Sequence, residues 1–108
     1  MKVNILGEEW KIKEVQEIPG LYGDTDWTSK KIRLSKTALM QDGMPKHQRH
    51  NNETRLRAET IRHEVIHAVM HESGIETGTQ NHTEENVEWI AKMYPKIQKI
   101  FKELEIEE

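Results

Sequence analysis

Residues 59–75, ETIRHEVIHAVMHESGI, decide how the chain is read. Ile61, Val65, Ala68 and Val69 fall at i, i+4, i+7 and i+8, one apolar face of an α-helix. His63-Glu64-Val65-Ile66-His67 lies across the other side and forms an H-E-x-x-H pattern. At about 100° per residue, His63 and His67 sit only about 40° apart and one turn along the axis. Two imidazoles so placed can reach one ion at the ~2.0–2.1 Å of a zinc–nitrogen bond. Glu64 lies about 100° from His63, at the rim of that face, within reach of a water that such an ion activates. A shuffled chain of this composition contains the pattern roughly one time in twenty, so the motif alone is weak. Its place in mid-helix, on the polar side of an amphipathic repeat, is what the chemistry requires.

Working outward, this helix is expected over 55–74. Asn52 or Thr54 is the N-cap and Gly74 the C-terminal stop. A second helix is expected over 84–104, capped by Thr83, with Val87, Ile90, Ala91, Tyr94, Ile97 and Phe101 as its core face. Pro95 removes an amide from that helix and predicts a kink or two shorter helices. A hydrolytic zinc site uses three protein ligands and an open position, and with no cysteine the third must be His, Glu or Asp. Glu84 and Glu88, at i and i+4, suggest a division of roles. Glu84 binds the metal, and Glu88 holds the ring N–H of a ligand histidine. His82 is the other candidate for third ligand. His71 extends the His63/His67 row and, with Tyr22 and His82, is a candidate oxyanion donor; a plain polar or packing role suits His71 and Tyr22 better. His47 and His50 read as solvated loop residues.

The N-terminal third reads as β. Val3-Asn4-Ile5, Trp10 to Val15, Leu21 to Thr28 and Lys31 to Leu34 are strand candidates, with turns at Leu6-Gly7, Ile18-Pro19-Gly20 and Ser29-Lys30. They suggest a mostly antiparallel meander of three or four strands. Gln41 to Thr54 reads as a polar loop, and Trp10, Trp27 and Trp89 as large packing units of the core. The expected fold class is therefore α+β, with a small sheet packed on two helices in a single domain over 1–108.

Composition narrows the function. Across 108 residues there is no cysteine, which excludes a disulfide scaffold and any Cys-ligated metal. Apolar residues make up 34% and charged residues 32%, so the core must be small. No apolar run approaches the ~18 residues of a membrane span, and the N-terminus does not read as a signal peptide, so a cytoplasmic protein is expected. A net charge of −3 argues against a dedicated nucleic-acid binder. The basic residues Lys46, Arg49, Arg55 and Arg57 carry no interleaved aromatics and read as a solvated stretch.

Three segments, LYGDTDWTSKKIRLS, ETIRHEVIHAVMHESGI and HTEENVEWIAK, resemble the small ImmA/IrrE-like metallopeptidases of gluzincin type, often encoded by phages or mobile elements. The resemblance runs from about Val3 to Phe101. It implies a minimal zincin-like domain with one zinc ion held by His63, His67 and Glu84, and Glu64 as general base. The family's E-x-x-A-N/D-like pattern stands here as Glu84-Glu85-Asn86-Val87-Glu88, with Val for Ala and Glu for Asn or Asp. The resemblance also implies a strand like Lys31 to Leu34 beside the cleft, where an extended substrate adds as another strand. The function expected is zinc-dependent hydrolysis of a peptide bond in a protein or peptide partner. The alternative is a non-catalytic, metal-stabilised module that binds a regulatory partner.

Overall fold

The structure is a computed structural model that describes residues 1–41, 45–48, 52–76, 79 and 81–105. Strands β1 (Lys2–Ile5) and β2 (Glu8–Val15) form a hairpin in which Ile5 pairs with Glu8. Leu6 and Gly7 both take positive φ, 51° and 91°, the two-residue geometry that matches strand twist. Asn4 Oδ1 accepts the Gly7 amide at 2.9 Å and holds the turn.

The next two strands are β3 (Gly23–Asp26) and β4 (Lys31–Ser35), and the sheet order is β1-β2-β4-β3. The sheet is therefore mixed: β4 runs parallel to β2 and antiparallel to β3. The expected meander is corrected here. Residues 16–22 do not turn back beside β2 but cross the end of the sheet, so β3 lies at the far edge and β4 fills the gap. The crossing is held at the end of β4 and just beyond it. Ser35 N donates to Tyr22 O at 2.8 Å, Thr37 N donates to Gln16 O at 3.1 Å, and Ser35 Oγ accepts the Ile18 amide at 3.3 Å. Ile18 is buried at this crossing.

A short helix, α1 (Lys36–Leu39), follows β4, and a 3₁₀ turn covers Lys46–Gln48. Both are absent from the sequence reading. Helix α2 (Glu53–Glu72) starts at Asn52, whose side chain accepts the Arg55 amide at 3.0 Å. It ends in a Schellman motif: Ile75 N donates to Met70 O at 2.8 Å, Gly74 N donates to His71 O at 3.0 Å, and Gly74 takes φ 93°. Ile61, Val65 and Val69 pack against a core of Ile5, Trp10, Ile12, Ile32, Leu34, Leu39, Leu56 and Ala68. The expected apolar face of α2 is thus the face laid on the sheet.

Helix α3 (Glu84–Glu103) is continuous through Pro95. One lost backbone bond does not divide a helix with eleven residues before the proline and eight after it. Only Val87 and Ala91 are buried on α3, so packing is confined to its first half. Tyr94 and Phe101, expected in the core, are exposed. Of the three tryptophans only Trp10 is buried; Trp27 and Trp89 are exposed by 53% and 60%. Among the described residues no helix is long and apolar enough to cross a membrane.

The turn between β3 and β4 brings the sheet edge back to α2. Lys30 Nζ donates to Glu72 Oε1 at 2.6 Å. Asp26 holds the turn by accepting Thr28 Oγ1 at 2.6 Å and Ser29 Oγ at 2.8 Å. These hydroxyl bonds, Thr28's the larger, lower the Asp26 pKa from 3.8 to about 2. The lowered value means that the turn's stabilisation is present above pH 3.8 and lost as the pH falls toward 2. An NMR titration of the Asp26 carboxyl is expected to give a midpoint near 2. A midpoint at the ordinary value would contradict the turn as described.

Candidate metal centre

Helical spacing alone puts His63 and His67 side by side, with ring centroids 5.0 Å apart. The third component comes from α3. Thr83 caps that helix by accepting the Asn86 amide at 3.2 Å, which fixes Glu84 as its first residue. The Glu84 carboxylate then reaches across to α2. Its Oε2 lies 3.0 Å from His63 Nε2 and its Oε1 lies 2.9 Å from His67 Nε2. One donor atom from each of His63, His67 and Glu84 falls within 4.8 Å of the others, so the group could hold a metal ion.

Behind the two imidazoles stand two further residues. His63 Nδ1–H donates to Glu88 Oε2 at 2.9 Å, one turn along α3 from Glu84. His82 lies 2% exposed behind His67, its Nε2 2.7 Å from His67 Nδ1. His82, the other candidate for third ligand, faces the far nitrogen of His67 and stands outside the converging group.

Glu64 is buried beside this group and lines the same cleft. Thr25, on β3, donates its hydroxyl to Glu64 Oε1 at 2.8 Å, with the Glu64 carbonyl also in range at 3.1 Å. Burial raises the Glu64 pKa, against the lowering effects of the Thr25 hydrogen bond and the nearby His63 charge. Its carboxylate is thereby a better proton acceptor than an exposed one. Burial also lowers the His67 pKa, against the pull of Glu84. That favours the neutral imidazole, the form that ligates metals.

The cleft has a volume of about 580 Å³ and runs between β3, α2 and the start of α3. β3 is the sheet edge here, whereas β4 is paired on both sides. The expected cleft strand, Lys31 to Leu34, is therefore replaced by Gly23–Asp26. His71 does not join His63 and His67; its ring packs on Trp27 at a centroid distance of 4.8 Å. Tyr22 is half-buried against the core and lines the cleft. His47 is exposed in the 3₁₀ turn, while His50 and Arg49 lie outside the described residues. Arg55 pairs with Glu59 at 3.0 Å and Arg57 with Glu14, so these two cations are engaged within the chain.

No family model, no curated protein and no solved structure matches this chain.

Two contributors are absent from the sequence reading. Thr25 carries no local signal, because its partner is 39 residues away. Gly23 does carry one, a glycine within a strand, which marks close backbone approach. A Cβ there would lie 2.9 Å from Arg33 O, 3.1 Å from Thr60 Cγ2 and 3.4 Å from Glu64 Cγ. The glycine lets β3 close against the face of α2 that carries Glu64. Gly23→Ala is expected to destabilise the protein by about 1–3 kcal/mol, as overpacking does, in urea unfolding. A change below ~0.5 kcal/mol, typical of an open surface position, would contradict this packing.

Proposed function

We propose that this protein is a zinc-dependent peptidase of gluzincin type, similar to the ImmA/IrrE-like enzymes, that hydrolyses a peptide bond in a protein or peptide partner. The observation that carries the reading is the convergence of His63 Nε2, His67 Nε2 and the Glu84 carboxylate on one point, with a buried glutamate, Glu64, beside it. The donor set suits zinc: two imidazole nitrogens and a carboxylate, without sulfur, is a ligand set of hydrolytic zinc sites. Zinc held by these three residues supplies Lewis acidity, lowering a water's pKa toward ~7 and polarising the scissile carbonyl.

The remaining steps belong to the chain. Glu64 takes a proton from the attacking water and delivers it to the leaving nitrogen as the C–N bond breaks. Thr25 holds the Glu64 carboxylate in place by its 2.8 Å hydrogen bond. Glu88 fixes the His63 ring through Nδ1. The β3 edge, which pairs only with β4 among the described residues, offers backbone groups to an extended peptide lying in the cleft.

Glu64→Gln keeps the size and the Thr25 contact and removes a buried carboxylate, so the fold is expected to survive. The variant should bind zinc and lose about 10²- to 10⁴-fold in hydrolysis of a denatured protein or a mixed peptide library. Cleavage equal to wild type, or pure protein without stoichiometric divalent metal, would overturn the reading. Zinc should also raise the melting temperature, since an ion at 100-fold its Kd stabilises by about 2.7 kcal/mol. Identical melting with and without zinc would contradict a site that joins α2 to α3.

A further inference from the structure

His82 is the most deeply buried histidine described, at 2% exposure, and both of its ring nitrogens are engaged. Its Nδ1 lies 2.7 Å from the carbonyl oxygen of Ile75, and its Nε2 lies 2.7 Å from His67 Nδ1. A carbonyl oxygen can only accept, so the hydrogen of this contact is on His82 Nδ1. With its hydrogen on Nδ1, His82 turns an acceptor Nε2 toward His67, and the hydrogen of the second contact comes from His67 Nδ1. The remaining nitrogen of His67, Nε2, is the one that faces Glu84 at 2.9 Å.

We infer that His82 is a positioning residue: it transmits the polarity of the Ile75 carbonyl to His67 Nδ1 and holds that ring with its Nε2 turned toward Glu84 and the candidate metal site. The Ile75 carbonyl is itself held by the end of α2. Gly74 at φ 93° and the 2.8 Å bond from Ile75 N to Met70 O set the direction of that peptide. The chain of contacts thus runs from the C-terminal cap of the helix that carries His67 back to His67 itself. Glu88 does the corresponding work for His63 with a carboxylate. At His67 the partner is an imidazole backed by a backbone carbonyl.

The inference rests on the metal-centre reading, and two measurements separate them. Long-range ¹H–¹⁵N correlation spectra of the metal-free protein, above the ordinary histidine pKa of about 6.5, report the tautomer without any metal. They should show His82 and His67 each with hydrogen on Nδ1, and His82 Nε2 as an acceptor. Hydrogen on His82 Nε2 would overturn the inference. Zinc affinity, measured by chelator competition, should fall about 10- to 100-fold in His82→Phe, which keeps ring bulk and removes both hydrogen bonds. His82→Gln should restore most of it, because its carboxamide can donate to Ile75 and accept from His67. Wild-type affinity in His82→Phe, or equal losses in both variants, would overturn the proposal. If the wild-type protein binds no zinc, the metal reading fails, and the tautomer of His82 alone decides this inference.

Discussion

The carboxylate of Glu84 reaches both His63 and His67, and that reach sets where α3 must start relative to α2. Two imidazoles one turn apart on a helix are a local consequence of its pitch. A third donor at their level has to come from another element. Thr83 supplies the register by capping α3, so that its first residue stands opposite the pair and its fifth, Glu88, stands behind His63. The small packed area between the helices, centred on Val87 and Ala91, keeps this register.

The same demand explains an unusual feature of α2. It buries an apolar face against the sheet, yet Thr60 and Glu64, which face β3 at the sheet edge, and His67 are buried too. Burying polar groups without partners costs roughly 1–3 kcal/mol each, and each of these three has a partner. Thr60 donates back to the Leu56 carbonyl at 2.8 Å, Glu64 accepts from Thr25, and His67 meets Glu84 and His82. The α2 side of the site is therefore enclosed, while Glu84 stands exposed at its mouth. Such enclosure is what raises the pKa of Glu64 and lowers that of His67.

Much of this was legible in the residues because it is local. The helix periods, the Asn52 and Thr83 caps, the Gly74 stop and the i, i+4 spacings of His63/His67 and Glu84/Glu88 depend only on neighbours along the chain. Strand pairing does not. Nothing in residues 16–22 says whether they turn back or cross the sheet, and that choice puts β3, not β4, at the cleft. Position 82 was likewise readable as a histidine near the site but not as the one behind His67, since its side depends on how the link between the helices returns. The exposed second half of α3 shows the converse. Ile90, Tyr94, Ile97 and Phe101 repeat at core spacing, but the helix extends beyond what α2 covers, so Tyr94 and Phe101 stay in solvent.

The central claim is that α2 and α3 meet around one ion. Crystals grown with zinc, with data collected on both sides of the zinc absorption edge, test it most directly. The account predicts a single strong anomalous peak about 2.0–2.1 Å from His63 Nε2 and His67 Nε2, with a Glu84 oxygen completing the protein ligands. A zinc-free cleft in those crystals, or an ion held by other residues while His63 and His67 remain bonded to Glu84, would contradict it.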